Sequence, residues 1–263
     1  MKEPHNLNMN FMGGDAACLA ARPFQFGFIE KFREKFRLVS GSDDERMAGR
    51  AEASRKNDPE RTKEDILVVA TEEFSTHGLA GGRVDAIAER TRTSKRMIYY
   101  YFGGKEGLYL SVLERAYRKI RTLEEDLKLA SLAPEEALRT LISSTFDHDE
   151  ANPDFVRLVS IENIHHAAHM LRSDAIRDLN VSVIETIAGI LERGIAEGVF
   201  KRKADPIDVH MLISAFCFFR VSNRYTFGTI FRRDLSEPDT IGRHRAMIAD
   251  AVISYLKNAD GPV

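Results

Sequence analysis

The chain has 263 residues, of which 43% are hydrophobic and 30% charged, a composition typical of a soluble globular protein. Its net charge of −2 excludes a globally basic nucleic-acid-binding protein, so a DNA-binding surface would have to be locally basic. The apolar run Met211 to Phe219 is too short to span a bilayer, and two cysteines cannot build a disulfide framework. No secretory signal is recognised, and we expect a cytoplasmic protein without membrane contact.

Residues 1–57 show no sustained hydrophobic period. The stretch from Ser40 to Glu45 is polar and typical of a linker. We therefore expect a flexible N-terminal extension, which contains Cys18. The second cysteine, Cys217, lies inside an apolar run and is predicted to be a small core residue.

Residues 58–104, which we call the head, carry dense helix signals. Asp58 can cap a helix, Pro59 suits the first helical position, and Ser94 can cap a later helix. The three predicted helices run from Pro59 to Gly78, from Val84 to Arg90 and from Ser94 to Phe102.

Residues 105–263, the body, begin with a long amphipathic helix after Gly103 and Gly104, and further helix starts are signalled by prolines. No segment alternates apolar and polar residues at period two, so we predict an all-α protein. An apolar face on the last helices must be covered, either within one subunit or by a second copy in a homodimer. The residues expected to form that face are Ile207, Met211, Leu212, Ala215, Phe219, Ile248, Val252 and Leu256.

The window from Arg83 to Lys105 is locally basic in a mildly acidic protein. A short helix, a tight turn and a second helix with Lys95, Arg96 and Tyr99 on its outer surface would fit the major groove of double-stranded DNA. The alternative is a basic helical hairpin that only contacts solvent.

Four segments resemble the DNA-binding signature of the tetracycline-repressor (TetR) family. They are Ile87-Ala88-Glu89, Ser94, Ile98-Tyr99-Tyr100-Tyr101-Phe102 and Lys105-Glu106-Gly107-Leu108. The resemblance implies a helix-turn-helix head and a helical body that senses a ligand and dimerises. The resemblance places seven residues on DNA, namely Lys95, Arg96, Met97, Tyr99, Tyr100, Tyr101 and Lys105. Arg83 is added to them because it stands where the family commonly has a hydroxyl residue that contacts phosphate.

Two positions depart from the family pattern. The turn between the second and third helices usually carries a small residue and then glycine, where this chain has Thr91 and Arg92. The hydroxyl residue that commonly precedes the second helix is here Gly82 or Arg83. If the turn keeps the family's backbone, Arg92 must adopt a left-handed conformation.

A second polar cluster follows Asn152-Pro153, in a part of the body that resembles one TetR subgroup. Helical spacing would place Glu162 and His166 on one face, and His165 and His169 on an adjacent face. The cluster could bind a divalent metal, supply polar groups to an effector pocket, or be ordinary structure. We predict an effector pocket without metal or cofactor, in which His166 matters most.

An aromatic row near the end of the apolar run could line a pocket elsewhere in the body or belong to the core. Its candidate effector-binding residues are Phe219, Asn223, Arg224 and Phe227.

The sequence thus predicts a ligand-responsive regulator that binds a palindromic operator as a repressor and is released by a small-molecule effector. One alternative is an architectural DNA-binding protein without an effector. A metal-dependent hydrolase would need the run from Asp147 to Glu150 to join the histidines, and no nucleophile elbow or phosphate-binding glycine loop supports it. We therefore do not expect an enzyme.

Overall fold

The computed structural model describes residues 58–259, and the predicted N-terminal extension and Cys18 lie outside this range. Within it, ten α-helices and no strands are present, which confirms the all-α class. None of the described helices is both long and apolar enough to cross a membrane. The helices are α1 (Pro59–Gly81), α2 (Val84–Arg90), α3 (Lys95–Phe102), α4 (Lys105–Asp126), α5 (Pro134–Ala151), α6 (Pro153–Ile164), α7 (Asp174–Ala196), α8 (Pro206–Ser222), α9 (Arg224–Phe231) and α10 (Pro238–Lys257).

The first helix begins and bends where the sequence indicates. The Asp58 carboxylate accepts hydrogen bonds from two backbone N–H groups of the first turn, with Pro59 at the first position. Gly78 leaves the helical conformation at φ 65° and ψ 179°, so the regular helix ends there, and one further turn extends to Gly81. Gly82 then packs under Phe74, where a Cβ atom would lie 2.5 Å from the ring. This contact explains why no hydroxyl residue occupies position 82.

The turn between α2 and α3 keeps a left-handed residue without glycine. Arg92 has φ 54°, and its N–H donates to the carbonyl of Glu89 at 3.2 Å, while the N–H of Thr93 donates to that of Ala88 at 3.0 Å. These two bonds are those of a Schellman helix end. The prediction that Arg92 is left-handed is confirmed. The hydroxyl of Ser94 then caps α3 by accepting from the N–H of Met97.

We expect Arg92→Gly to stabilise the protein by about 1 kcal/mol, because a left-handed backbone costs a residue with a Cβ atom about that much. The melting temperature should rise by about 2–4 °C. Arg92→Ala is the matched control, since it removes the same side chain but keeps the Cβ atom. Equal melting temperatures for the two variants would contradict this explanation.

Two buried clusters hold the helices together. The first joins the head to the body, because Ile66, Phe74 and Ile98 pack with Leu108 of α4 and Leu158 of α6. The second lies in the body between α5, α7, α8 and α10 and contains Cys217, which is 1% exposed and confirms its prediction as a core residue. The start of α4 therefore belongs to the packing of the head as well as to that of the body.

The structure contradicts the part of the predicted dimerisation face that lies on α10, whereas the part on α8 stays a prediction. On α8, Ile207, Met211, Leu212 and Phe219 are 40–62% exposed, and Ala215 is exposed beside them. On α10, however, Ile248, Val252 and Leu256 are at most 3% exposed and pack into the second cluster of the same chain. The side of α10 that faces outward carries Met247, Ala251, Ser254 and Tyr255. The prediction for α10 is wrong because both sides of this helix carry apolar residues, and the predicted side is the one that packs into the core.

The helical spacing predicted for the histidine cluster is wrong. Helix α6 ends at Ile164, and His166 and Ala167 have left-handed φ values of 56° and 57°. The N–H of Ala167 donates to the carbonyl of Glu162 at 2.7 Å, so the chain turns sharply instead of continuing as a helix. Glu162 and His166 consequently do not share a helical face.

Candidate nucleic-acid interface and sensing region

Helix α3 presents a basic and aromatic outer surface. Tyr100 is 79% exposed, Tyr99 41% and Met97 37%, and Lys95 and Arg96 are exposed beside them. Such a set offers cations for phosphates and hydrogen-bonding or apolar groups for base edges. The ammonium of Lys95 lies 3.2 Å from the Asp85 carboxylate and 5.9 Å from the centre of the Tyr99 ring. These weak exposed contacts leave it available to an anionic partner.

The inner side of α3 fixes the position of that surface. Ile98 is fully buried in the first cluster, and Phe102 packs partly against it. At the junction with α4, a Cβ atom on Gly107 would lie 1.9 Å from the Phe102 carbonyl oxygen. Only glycine allows α4 to begin so close to the end of α3, which explains the glycine of the signature at this position.

The remaining predicted DNA-binding residues lie around this surface. Tyr101 is half-buried against the first cluster, with the ammonium of Lys63 5.6 Å from its ring centre. Arg83 is exposed before α2, and its backbone N–H donates to the Glu73 carboxylate at 2.8 Å. The Lys105 ammonium donates to the Ala80 carbonyl at 3.1 Å. Tyr101 thus has a packing role beside any contact with DNA.

Glu162 is the centre of a buried polar group between α4 and α6. It is 1% exposed and accepts hydrogen bonds from the Tyr109 hydroxyl (2.9 Å), from the ring Nδ1 of His169 (2.9 Å) and from the backbone N–H groups of His169 and Met170. Burial raises the pKa of Glu162, but the hydrogen bonds from His169, Tyr109 and Met170 outweigh it and lower the pKa below its usual range. Burial also raises the pKa of Tyr109 strongly, so Tyr109 keeps its proton.

This polar group reaches the head through aromatic contacts. The ring of Tyr109 meets the ring of Phe74 edge-on at 5.2 Å between centres, and that of His169 at 5.1 Å. Phe74 belongs to α1 of the head, whereas His169 lies in the connection between α6 and α7. The sequence pattern indicates Glu162 and His169 as site residues but not Tyr109, because the apolar neighbours of Tyr109 in the sequence hide its hydrogen bond.

The other predicted effector residues lie in two places. His165 and His166 are exposed on the turn after α6. The remaining residues lie around α9, where the centres of the Phe227 and Phe219 rings are 6.0 Å apart. Asn223 joins α8 to α9, and the Arg224 guanidinium pairs with the Glu150 carboxylate at 2.7 Å. Glu162 instead forms its hydrogen bonds with Tyr109, His169 and Met170.

A buried charge pair in the body was not predicted. Arg121 is 5% exposed and pairs with Glu124, one turn later on α4. Burial raises the pKa of Glu124 to about 7 against the opposing effect of Arg121. Burial likewise raises the pKa of the nearby Tyr117 to about 12. Charged residues at helical spacing usually mark a solvent-exposed face, so the sequence pattern does not indicate a buried pair here.

A metal hydrolase would need the acidic residues of the run from Asp147 to Glu150 as metal ligands, but each of them is paired with a histidine or an arginine. Asp147 binds Arg245, Asp149 lies beside His148, and Glu150 pairs with two arginines of α8 and α9. Over the described residues, no group of three histidine, cysteine, aspartate or glutamate side chains is placed to hold a metal ion. The hydrolase alternative has no support in this arrangement.

Comparison with known proteins gives the same assignment along most of the described chain. A family model described as "Bacterial regulatory proteins, tetR family" matches residues 66–112, and a "Tetracyclin repressor-like, C-terminal domain" matches residues 134–252. The chain is 33% identical over 211 residues to the HTH-type transcriptional repressor NicS of Pseudomonas putida, covering 80% of this chain and all of NicS.

Two solved structures share the fold. The putative transcriptional regulator SCO4942 of Streptomyces coelicolor has a TM-score of 0.56 at 28% identity, covering 74% of this chain and 97% of that one. The regulator FadR of Bacillus subtilis, solved with stearoyl-CoA, has a TM-score of 0.54 at 19% identity, covering 75% and 98%. The chain belongs to the TetR family of helix-turn-helix transcriptional regulators.

Proposed function

We propose that this regulator represses transcription by binding a palindromic operator through the exposed surface of α3, and that a small-molecule effector releases it. The observation that carries the proposal is the packing of α3, with Ile98 buried and Tyr99 and Tyr100 exposed beside Lys95 and Arg96. The 33% identity to the repressor NicS supports the sign of regulation. The head, residues 58–104, is the proposed DNA-binding domain, and residues 105–263 form the sensing and dimerisation domain.

We expect Tyr99→Ala and Lys95→Ala each to weaken specific operator binding by about 5- to 150-fold, because one good base contact contributes about 1–3 kcal/mol. The operator would first be selected from genomic fragments, and binding would be measured by fluorescence anisotropy at fixed salt. Lys201→Ala, at an exposed lysine between α7 and α8, is the control for loss of positive charge. Unchanged operator affinity in both α3 variants, with folding intact, would remove α3 from the interface.

The proposed dimer uses the outward side of α8 with that of α10. Family members dimerise through their last two long helices, and here these helices expose Met211, Phe219, Met247 and Tyr255. Four large apolar side chains on adjacent helices favour burial against a second copy. Two heads related by a twofold axis would then contact the two halves of a palindrome.

The proposed effector site is the groove beside the connection from α6 to α7. It has a volume of about 570 Å³, and Met170, Leu171, Ile176 and Ile184 give it a mainly apolar lining, as expected for a small-molecule site. Glu162 and His169 hold this connection in place and link it to Tyr109 of α4. An effector that displaces the connection would therefore disturb the contact between Tyr109 and the head.

A further inference from the structure

A second groove lies where the head meets the body. Its volume is about 310 Å³, and it runs between Ser75 and Thr76 of α1, Arg157 and Ser160 of α6, and the junction of α8 with α9. At that junction Arg224 and Tyr225 form its edge. The groove is distinct from the proposed effector groove, with which it shares no lining residue.

Positive charge exceeds negative charge at one end of this groove. The carboxylate of Glu150 accepts from Arg224 at 2.7 Å and from Arg220 at 3.1 Å, so two guanidinium groups share one carboxylate. Arg220 is 3% exposed, and burial lowers its pKa together with the charge of Arg224. Arg220 also donates two hydrogen bonds to the Leu235 carbonyl. Because Glu150 is shared by two cations, a second anion beside Arg224 would balance the remaining positive charge.

At the same end of the groove, two arginine N–H groups have no hydrogen-bond acceptor in the described part of the chain. The Nε atom of Arg224 is shielded from solvent and has no hydrogen-bond partner in the described part of the chain, and the same holds for the Nε of Arg220. Arg157, the other cation of the groove, is 47% exposed in its side chain and, within residues 58–259, pairs with Asp154 at 3.1 Å. Arginines on two different helices can thus approach one ligand.

The remainder of the lining is suited to an organic molecule. Val156, Ile161 and Val221 contribute apolar surface, and the ring of Tyr225 is 73% exposed at the edge. A ligand with an apolar part could pack on these side chains while its charged end meets the arginines. The volume is at the lower end of the range for small-molecule sites, which limits the ligand to a small one.

We propose that this groove binds a small organic anion, whose phosphate or carboxylate oxygens are held by Arg157 and Arg224. Guanidinium groups bind both oxyanions with strong, directional hydrogen bonds. The ligand would touch α1 of the head together with α6 and α9 of the body, so its binding is coupled to the orientation of the head. This coupling rests on the proposed function, whereas the binding site does not.

The site is tested by calorimetry on the full chain without DNA, at constant ionic strength. The probes are phenyl phosphate and benzoate, with benzyl alcohol as the uncharged analogue. We expect at least one anion to bind with a Kd below about 1 mM, and Arg157→Met and Arg224→Met to weaken that binding by about tenfold or more. Arg224→Met also removes a partner of Glu150 and could therefore prevent folding. In that case the exposed Arg157→Met variant decides whether the groove binds the anion.

Arg245→Met is the matched control, because Arg245 is another exposed arginine paired with an acid, Asp147, outside the groove. It should bind the anion as the wild type does. The site is refuted if neither anion binds, if benzyl alcohol binds equally well, or if Arg157→Met binds like Arg245→Met. Binding of phenyl phosphate alone or of benzoate alone assigns the oxyanion to phosphate or carboxylate.

The coupling is tested by operator titration with and without the bound probe. We expect the operator Kd to change by about fivefold or more, and the probe Kd to change by the same factor when operator is present. An unchanged operator Kd at saturating probe overturns the coupling. A wild-type protein that binds no operator specifically would instead refute the proposed function, and the calorimetry would still decide the site.

Discussion

Replacing Glu162 by alanine is expected to lower the free energy of unfolding by about 3–5 kcal/mol, as is typical when one partner of a buried, charge-assisted network is removed. The variant would leave the Tyr109 hydroxyl and the backbone N–H groups of His169 and Met170 without their acceptor in a buried site. The measurement is chemical unfolding at pH 7. Arg157→Ala, which removes an exposed charge on the same helix, should cost less than about 1 kcal/mol.

The pH dependence of unfolding distinguishes the contribution that the Glu162 charge makes to stability from the contribution that its shape makes. Because its folded pKa is lowered, Glu162 contributes stability above the unfolded carboxyl pKa of about 4.3, and this stability is lost as the pH falls through the folded value. Glu162→Gln keeps the shape but cannot titrate. The difference in stability between wild type and Glu162→Gln should therefore shrink below about pH 4.3. A difference that stays constant down to the folded pKa would contradict the lowered pKa.

Met211→Glu is expected to convert the proposed dimer to monomers at micromolar concentration. The side chain is 62% exposed in the isolated chain, so the substitution should leave the subunit folded, but each dimer would bury two unpaired carboxylates. At about 2 kcal/mol per carboxylate, the dimer Kd would rise about 1000-fold. Light scattering coupled to size-exclusion chromatography measures the mass directly.

Ile164→Glu is the control for this experiment, because Ile164 is 72% exposed at the end of α6 and is not part of the proposed dimer face on α8 and α10. It should remain dimeric. Should Met211→Glu keep the mass of a dimer at all concentrations tested, the outward side of α8 would not be the interface. Loss of the dimer should also weaken binding to a palindrome more than binding to one half-site.

The sequence by itself determined the helices of the head and their order. Asp58, Pro59 and Ser94 act within one turn of their own position, so local chemistry is sufficient to place the ends of α1 and α3. The outward placement of Tyr99 and the inward placement of Ile98 follow equally from helical periodicity. The left-handed Arg92 could be expected because the turn is local and the family pattern has glycine there.

Only the tertiary structure decided what depends on contacts between distant segments. The sequence spacing of Glu162 and His166 indicated a shared face, but the chain turns after Ile164, and Glu162 instead binds Tyr109, 53 residues earlier. On α10 both sides are apolar enough to pack, and the body core selected Val252 and left Tyr255 outside. Periodicity identifies which residues share a helical face. Which face meets which neighbour depends on how the helices pack together, because burial is a property of the assembled core.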